Sequence, residues 1–128
     1  MDRSAVMRAV KARNTAPELA VRRLAYAISP GYRLHRNDIP GRPDLAYVGR
    51  RRAIFVHGCF WHGHSCARGA RPPKTNAEYW SRKISGNRNR DERVRRRLRL
   101  AGWRVLVVWE CELKNCDKLR RRLRAFLS

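Results

Sequence analysis

A short segment of the chain carries most of the side chains that could bind metal or move protons. Residues 54–66 read I-F-V-H-G-C-F-W-H-G-H-S-C and hold three of the four histidines and two of the four cysteines. The apolar run before His57 predicts a buried strand, and Gly58 allows the backbone to turn directly after it. We therefore expect this cluster to begin where a strand ends, a usual position for the site of an open α/β sheet.

Several of these side chains have the types and the short spacing of zinc ligands. Cys59, His64 and Cys66 offer two sulfur donors and one nitrogen donor. A structural zinc ion takes four such donors in a tetrahedral arrangement, so one more must come from elsewhere in the chain. Cys111 follows another predicted strand directly and is the best-placed candidate.

A carboxylate near the same segment predicts a second metal site, one that suits a hard cation. Asp44 follows turn-forming Pro and Gly residues, where an isolated Asp more often only forms a turn. Here it begins a strand that is expected to pair with the strand before His57, in a chain with only ten acidic residues. A carboxylate in that position can hold Mg²⁺, and the backbone carbonyl of Val56 could complete the coordination shell.

Further titratable side chains are candidates for acid–base chemistry, and each has a structural alternative. Imidazole titrates near neutral pH, so His57 and His62, which the zinc site does not need, are catalytic candidates, and His62 is the better of the two. Asp91 could orient His62 or could instead form an ion pair with a neighbouring arginine. Glu18 fits the far half of a capping box that begins at Thr15, and it could also orient a metal-bound water.

Alternating helices and strands must position these residues. The order is predicted as αβββααβα, with helix 15–28, strands 32–36, 45–48 and 53–56, one helix from about 75 and another over 89–101, strand 103–109 and helix 113–127. The run over 103–109 is the most strongly β-forming and is expected to be a central strand. This order is typical of a three-layer α/β domain with a central sheet between helices.

The same periodicity predicts which side chains face the interior. The apolar stripe of the first helix consists of Leu19, Ala20, Leu24 and Ile28. Cys116 falls on the apolar stripe of the last helix and is interpreted as a core residue. His35 is interpreted as a strand-face histidine rather than a ligand.

The charge of the chain indicates the class of its partner. The sequence holds 31 Lys and Arg residues against 10 Asp and Glu residues, a net charge of +21. A surface this basic repels itself unless it meets a polyanion, and nucleic acid is the usual one. An anionic membrane is the weaker alternative, because no helix combines a basic face with a broad aromatic face.

The length and the absence of apolar runs set the expected organisation. The 128 residues predict one domain over 15–128, preceded by a basic arm over 1–14. No long apolar run and no signal-peptide pattern are present, and four cysteines in such a chain favour metal over disulfides. We expect a soluble cytoplasmic protein.

Adjacent aromatic residues within the cluster suggest a way of holding DNA. Phe60 and Trp61 would pack into the core of most proteins, but between polar ligands on a basic protein they can stand exposed. Exposed aromatic side chains can wedge between base pairs. Trp80 and Met7 are weaker candidates for supporting such a wedge.

Together these motifs resemble the very short patch repair (Vsr) DNA mismatch endonuclease family. The resemblance covers most of the chain in the right order, including Gly41-Arg42-Pro43-Asp44. Its highly specific motif is the H-G-C-F-W-H segment followed by H-x-C, and Trp109-Glu110-Cys111 adds independent weight. It implies a restriction-endonuclease-like fold with a central mixed β-sheet flanked by helices and a structural zinc site. It also implies a Mg²⁺-dependent nick beside the thymine of a T:G mismatch, the lesion left when 5-methylcytosine deaminates.

The resemblance further implies a role for each candidate residue. Asp44 and the main chain of Val56 would bind Mg²⁺, and Glu18 would act through water. His62 would be the general base or water-positioning group, paired with Asp91. His57 would contact the scissile phosphate or the metal shell. Zinc would be bound by Cys59, His64, Cys66 and Cys111. The side chains that would intercalate next to the mismatch are Met7, Phe60 and Trp61. Val56 stands where the family usually has threonine, which removes a hydroxyl but keeps a main-chain ligand.

Three functions remain open at the level of the sequence. The first is a strand-specific T:G mismatch nickase that starts very short patch repair, acting on double-stranded DNA as a monomer in the nucleoid of a bacterium, with mismatch-repair proteins as stimulating partners. The second is a related nickase that acts on unmismatched or differently methylated DNA. The third is a non-catalytic, zinc-stabilised DNA-binding module.

Overall fold

A computed structural model describes residues 15–59 and 76–128. The predicted arm over 1–14 and residues 60–75 lie outside this part of the chain. The described helices are α1 (Ala16–Ile28), α2 (Ala77–Leu100) and α3 (Cys116–Leu127). The described strands are β1 (Arg33–Leu34), β2 (Leu45–Tyr47), β3 (Arg52–His57) and β4 (Arg104–Trp109), and a 3₁₀ helix, η1, spans Glu110–Lys114.

The strands form one mixed sheet in the order β1-β2-β3-β4. The first three strands pair antiparallel, with Leu45 opposite Ile54, whereas β3 and β4 pair parallel, with His57 opposite Trp109. Within the described residues β4 is thus an edge strand, not the predicted central one. Its apolar composition has another cause, because its alternate side chains enter two different cores and both of its faces are covered.

The two cores lie on opposite faces of the sheet and define three layers. Leu45, Ile54 and Val108 pack with α1 and α3 on one face. Ala53 and Phe55 pack with Leu98 of α2 on the other face. Neighbouring residues of β3 therefore point to opposite cores, as the period of a strand requires, and the predicted three-layer α/β architecture is confirmed.

Helix α1 begins and ends where the sequence predicts, but its buried face is rotated. Thr15 caps it by accepting a hydrogen bond from the backbone N–H of Glu18 at 3.4 Å. Leu24 and Ile28 pack against the core as expected, yet the fully buried apolar residues are Val21 and Ala25, and Leu19 is 38% exposed. The rotation arises because the buried face also includes Glu18, a carboxylate that hydrophobicity cannot identify.

Helix α2 is one continuous helix of 24 residues, so the two helices expected over this range are wrong. A single glycine in an exposed helix interior costs only about 1 kcal/mol relative to alanine, which is too little to break a helix that packs on a sheet. Gly86 is such a residue, and no proline interrupts the range.

Helix α3 packs through Leu119, Leu123 and, near its end, Leu127. Cys116 is exposed, which overturns its interpretation as a core residue. It is the first residue of the helix, where Asn115 caps by accepting a hydrogen bond from the N–H of Lys118 at 3.2 Å. The apolar stripe begins only one turn later. None of the described helices has both the length and the apolar character needed to cross a bilayer.

Candidate active site

The β2–β3 hairpin places Asp44 against the carboxyl end of β3. The register that pairs Leu45 with Ile54 puts Asp44, one residue before β2, next to the last residues of β3. Its Oδ2 accepts a hydrogen bond from the backbone N–H of Val56 at 2.6 Å. The predicted proximity of Asp44 to Val56 and His57 is therefore confirmed.

A cleft of about 250 Å³ opens at this end of the sheet. Asp44, Val56, His57 and Asp91 all line it, so four of the predicted site residues share one space. His57 is 7% exposed, and its Nδ1 lies 3.9 Å from Oδ2 of Asp91 on α2. The cleft is also lined by basic side chains, which are Arg42, Arg90 and Arg95.

A second group of side chains adjoins Asp44 from the side of α1. The ligand atoms of Glu18, His35 and Asp44 lie within 4.8 Å of one another. Glu18 is 3% exposed, and its Oε1 lies 2.9 Å from Nε2 of His35 and 3.5 Å from the guanidinium of Arg22. The backbone of Glu18 thus takes part in the helix cap while its carboxylate enters the site.

The surroundings of Asp44 alter its acidity. Burial raises the pKa of Asp44 to about 7, the hydrogen bond from Val56 opposes this rise, and the nearby Glu18 carboxylate adds to it. A carboxylate whose negative charge is this unfavourable is suited to a cation, because a positive ion removes the penalty.

The interpretation of His35 as a strand-face residue is wrong. The pairing of β1 with β2 ends at Leu34 and Leu45, so His35 directly follows and Asp44 directly precedes the last pair, and the side chain of His35 contacts Glu18. The signal that sequence reasoning missed was available in the strand order. Three consecutive antiparallel strands bring the residue after β1, the residue before β2 and the end of β3 together.

Other predicted site residues lie apart from this cluster or outside the described residues. Trp80 is partly buried near the start of α2, where its ring stacks edge-on against Tyr79 with centroids 5.0 Å apart. Asp91 lies eleven positions after Trp80, or about 16 Å along the helix, and both project from the same face. The predicted residues outside the described part are Met7, Phe60, Trp61, His62, His64 and Cys66.

The parallel pairing of β3 and β4 brings two predicted zinc ligands to the same end of the sheet. His57 and Trp109 are paired across the two strands, and Cys59 lies two residues after His57 as Cys111 lies two residues after Trp109. Cys59 is fully buried and Cys111 is partly buried. The η1 segment that carries Cys111 is fixed by Glu112, which accepts a hydrogen bond from Trp109 N–H at 3.0 Å and pairs with Arg122. These positions suit two of the four donors that zinc requires.

Comparison with known proteins identifies the family. The model of the family described as DNA mismatch endonuclease Vsr matches residues 1–68. The type II nicking enzyme V.XorIIP of Xanthomonas oryzae pv. oryzae is 50% identical over 123 residues, covering 96% of this chain and 90% of that protein. DNA mismatch endonuclease Vsr of Escherichia coli K12 is 44% identical over 117 residues, covering 91% of this chain and 74% of that protein.

A solved structure supports the architecture. The catalytic domain of the homing endonuclease I-Bth0305I superposes with a TM-score of 0.60 at 24% identity, over 88% of this chain and 94% of that domain. At this identity the likeness concerns the fold alone, and it agrees with the predicted restriction-endonuclease-like fold. The sequence relatives and the family model together show that this chain belongs to the DNA mismatch endonuclease Vsr family.

Proposed function

We propose that the protein nicks one strand of double-stranded DNA beside the thymine of a T:G mismatch and so starts very short patch repair. The observation that carries the proposal is the composition of the cleft. Acidic and imidazole groups suited to a cation and to water, namely Asp44, Asp91 and His57, share it with the arginines. Phosphodiester hydrolysis needs both kinds of group, because a phosphate must be bound while a water molecule is activated.

Mg²⁺ is the cation proposed for the cleft. Asp44 and the main-chain carbonyl of Val56 would hold it, with Glu18 acting through water. When bound, the ion supplies positive charge to the phosphate and makes a coordinated water easier to ionise. The raised pKa of Asp44 supports this assignment, since the buried carboxylate gains most from a cation.

The remaining groups would handle the phosphate and the proton. Hydrolysis forms a bond from the water oxygen to phosphorus, breaks one P–O bond of the backbone, releases a proton from the water and returns a proton to the sugar oxygen that leaves. His62 is the proposed acceptor of that proton, with Asp91 as its orienting partner. His57 would contact the scissile phosphate or the metal shell. Arg90 and Arg95 would bind phosphate oxygens at the edge of the cleft.

The aromatic residues are proposed to open the duplex at the lesion. Met7, Phe60 and Trp61 would insert beside the mismatch, with Trp80 in support. Insertion of apolar side chains unstacks bases at a cost of a few kcal/mol, which is lowest at a mispaired step. Selectivity for a mismatch would follow from this difference.

A structural zinc ion is proposed to fasten the end of β3 to the η1 segment. Its ligands would be Cys59, His64, Cys66 and Cys111. Metal analysis of the purified protein should find one tightly held zinc per chain, and Cys111→Ala should lose it and be destabilised. Cys116→Ala is the matched control, because Cys116 is exposed on α3 and should not affect zinc content.

The experiment that tests the function compares nicking of T:G and T:A duplexes of one sequence in Mg²⁺. The T:G duplex should be nicked on the thymine strand only, and Asp44→Ala should abolish nicking while DNA binding is retained. Asp38→Ala is the matched control, because Asp38 is an exposed carboxylate that pairs only with Arg36 among the described contacts.

Two outcomes would favour the other candidate functions. Equal nicking of both duplexes would indicate a related nickase of broader specificity. The relative V.XorIIP, which is described as a type II nicking enzyme, supports testing this alternative. Binding of DNA without nicking of any T:G duplex would indicate a zinc-stabilised binding module.

A further inference from the structure

We propose that His35 is a positioning residue of the active site, which holds the Glu18 carboxylate beside Asp44 in the geometry that a divalent cation requires. The proposal rests on the proposed function, since it deepens the description of the same cation site. His35 is argued to act through Glu18 rather than to touch the cation or the DNA itself.

The first observation is a buried contact to a single carboxylate oxygen. Oε1 of Glu18 lies 2.9 Å from Nε2 of His35, and in the tautomer that carries its hydrogen on Nε2 the imidazole can donate to the carboxylate. The Arg22 guanidinium approaches the same oxygen at 3.5 Å and lies 3.2 Å from Nε2. The side chains of Glu18 and His35 are only 3% and 13% exposed, so water competes little for this contact.

The second observation is the backbone conformation that delivers the imidazole. His35 has φ +50°, in the left-handed region that residues other than glycine rarely adopt. His35 is the residue directly after β1, and with this backbone conformation its side chain lies against α1. Backbone strain of this kind persists when the surrounding structure compensates for it, and it concentrates at functional sites.

The third observation is the proximity of two carboxylates. Ligand atoms of Glu18, His35 and Asp44 lie within 4.8 Å of one another, on three separate elements of the chain. Two carboxylates this close repel each other when both are ionised. A donor that fixes one oxygen of Glu18 therefore keeps the pair preorganised, and its loss would let the Glu18 side chain turn away from Asp44.

The test compares three substitutions that differ in the position of an N–H donor. His35→Leu removes the donor, His35→Gln can place an amide nitrogen near the position of Nε2, and His35→Asn can place one only near that of Nδ1. Loss of an outer partner that orients the groups around a bound metal typically weakens metal binding by about 10- to 100-fold. We expect this loss for Leu and Asn, and recovery to within about threefold of wild type for Gln.

Two readouts report on the cation site directly. Binding of Mg²⁺ alone is measured by calorimetry on the DNA-free protein, and the Mg²⁺ concentration for half-maximal nicking is measured on a T:G duplex. The maximal rate at saturating Mg²⁺ should change less than the half-maximal concentration. Asp38→Asn, an exposed carboxylate three residues away, is the control and should leave both values unchanged.

A double-mutant cycle separates a positioning role from a general structural one. In a Glu18→Gln background, His35→Leu should lower the Mg²⁺ affinity by less than about twofold further, because its effect is transmitted through the Glu18 carboxylate. Independent losses that multiply in the double variant would overturn the proposal. Wild-type Mg²⁺ affinity in His35→Leu would overturn it as well.

The design also covers loss of folding and failure of the proposed function. Thermal unfolding identifies any variant that does not fold; if His35→Leu is one, equal Mg²⁺ affinities of the Gln and Asn variants would overturn the proposal. A wild-type protein that binds Mg²⁺ through the His35–Glu18 pair but nicks no T:G duplex would contradict the proposed function alone.

Discussion

At the scale of single residues, the environment of a carboxylate decides its chemistry. Asp44, Glu18 and Asp38 are all acidic, yet Asp38 is exposed and pairs with Arg36, whereas the other two are placed at the end of the sheet with little access to water. Burial raises the pKa of Asp44 to about 7, so its charge is unfavourable in the absence of a cation. The same side chain should therefore lower stability and support metal binding.

The first prediction is that Asp44→Asn stabilises the metal-free protein at pH 8. Because the folded-state pKa of Asp44 lies above its ordinary value of 3.8, its contribution to stability is present below pH 4 and is lost as the pH rises to about 7. Asparagine avoids this loss and should add on the order of 1 to 3 kcal/mol at pH 8 and little at pH 4.5. Urea unfolding in Mg²⁺-free buffer measures the difference in unfolding free energy between the variant and the wild type. A difference that does not grow with pH would contradict the prediction.

The second prediction concerns the glycine that lies between the Asp44 turn and α2. Gly41 has φ +78°, and a Cβ there would overlap the side chain of Val94. Gly41→Ala should therefore destabilise the fold by about 1 to 3 kcal/mol more than Gly31→Ala. Gly31 also has a positive φ, +103°, but a Cβ there would meet nothing within 4 Å, so it isolates the backbone effect. If chemical denaturation gave the same loss of unfolding free energy for both variants, the Val94 side chain would have to move aside at no cost.

At the scale of elements, α2 connects the buried core to the cleft. Its partly buried residues recur at alternating spacings of four and three along one face, from Trp80 through Asp91 and Val94 to the buried Leu98. The last two residues pack on the sheet. Asp91 lies on the same stripe, so the packing that holds the helix also fixes its carboxylate near His57.

The third prediction tests the continuity of α2. Gly86→Ala should stabilise the protein by about 0.5 to 1 kcal/mol, because Gly86 lies in a helix interior and a Cβ there meets nothing within 4 Å. Gly86→Pro should destabilise it by about 3 kcal/mol or more. Thermal unfolding of both variants provides the measurement. If Gly86→Ala left the stability unchanged and Gly86→Pro did not lower it, the helix would have to be interrupted at this point.

At the scale of the whole molecule, charge and layering divide the protein into two sides. The net charge is +21, yet the arginines that line the cleft come from α2 and from the turn before Asp44. Helix α3, which is also rich in arginine, packs on the opposite face of the sheet. A duplex bound at the cleft should therefore contact only part of the basic surface.

The fourth prediction assigns the phosphate contacts by their salt dependence. Each phosphate neutralised contributes about 0.9 to the slope of log affinity against log salt. Arg90→Gln and Arg95→Gln should each reduce that slope by about one and weaken binding to T:G and T:A duplexes alike. Arg120→Gln on α3 is the control, since Arg120 pairs with Asp117 away from the cleft. An unchanged slope in both α2 variants would place the DNA elsewhere.

Local interactions explain what could be predicted from the amino-acid sequence. The Thr15 cap, the bounds of α1 and the β2–β3 hairpin depend on residues that are close in the chain. Since antiparallel strands joined by a tight turn have little choice of register, the position of Asp44 beside Val56 followed from the pattern. The two candidate metal-binding groups could be proposed for a similar reason, because their residue types are rare and closely spaced.

The features that were missed depend on contacts between distant parts of the chain. Whether Gly86 interrupts a helix, and whether β4 lies at an edge, is decided by packing against the sheet and not by local preference. The pairing of His35 with Glu18 required β1, β2 and α1 to be in place together, because a lone histidine and a capping glutamate each have a sufficient local explanation. The sequence alone therefore determined the chemical groups and their local supports, whereas only the tertiary structure decided which of them share one buried space.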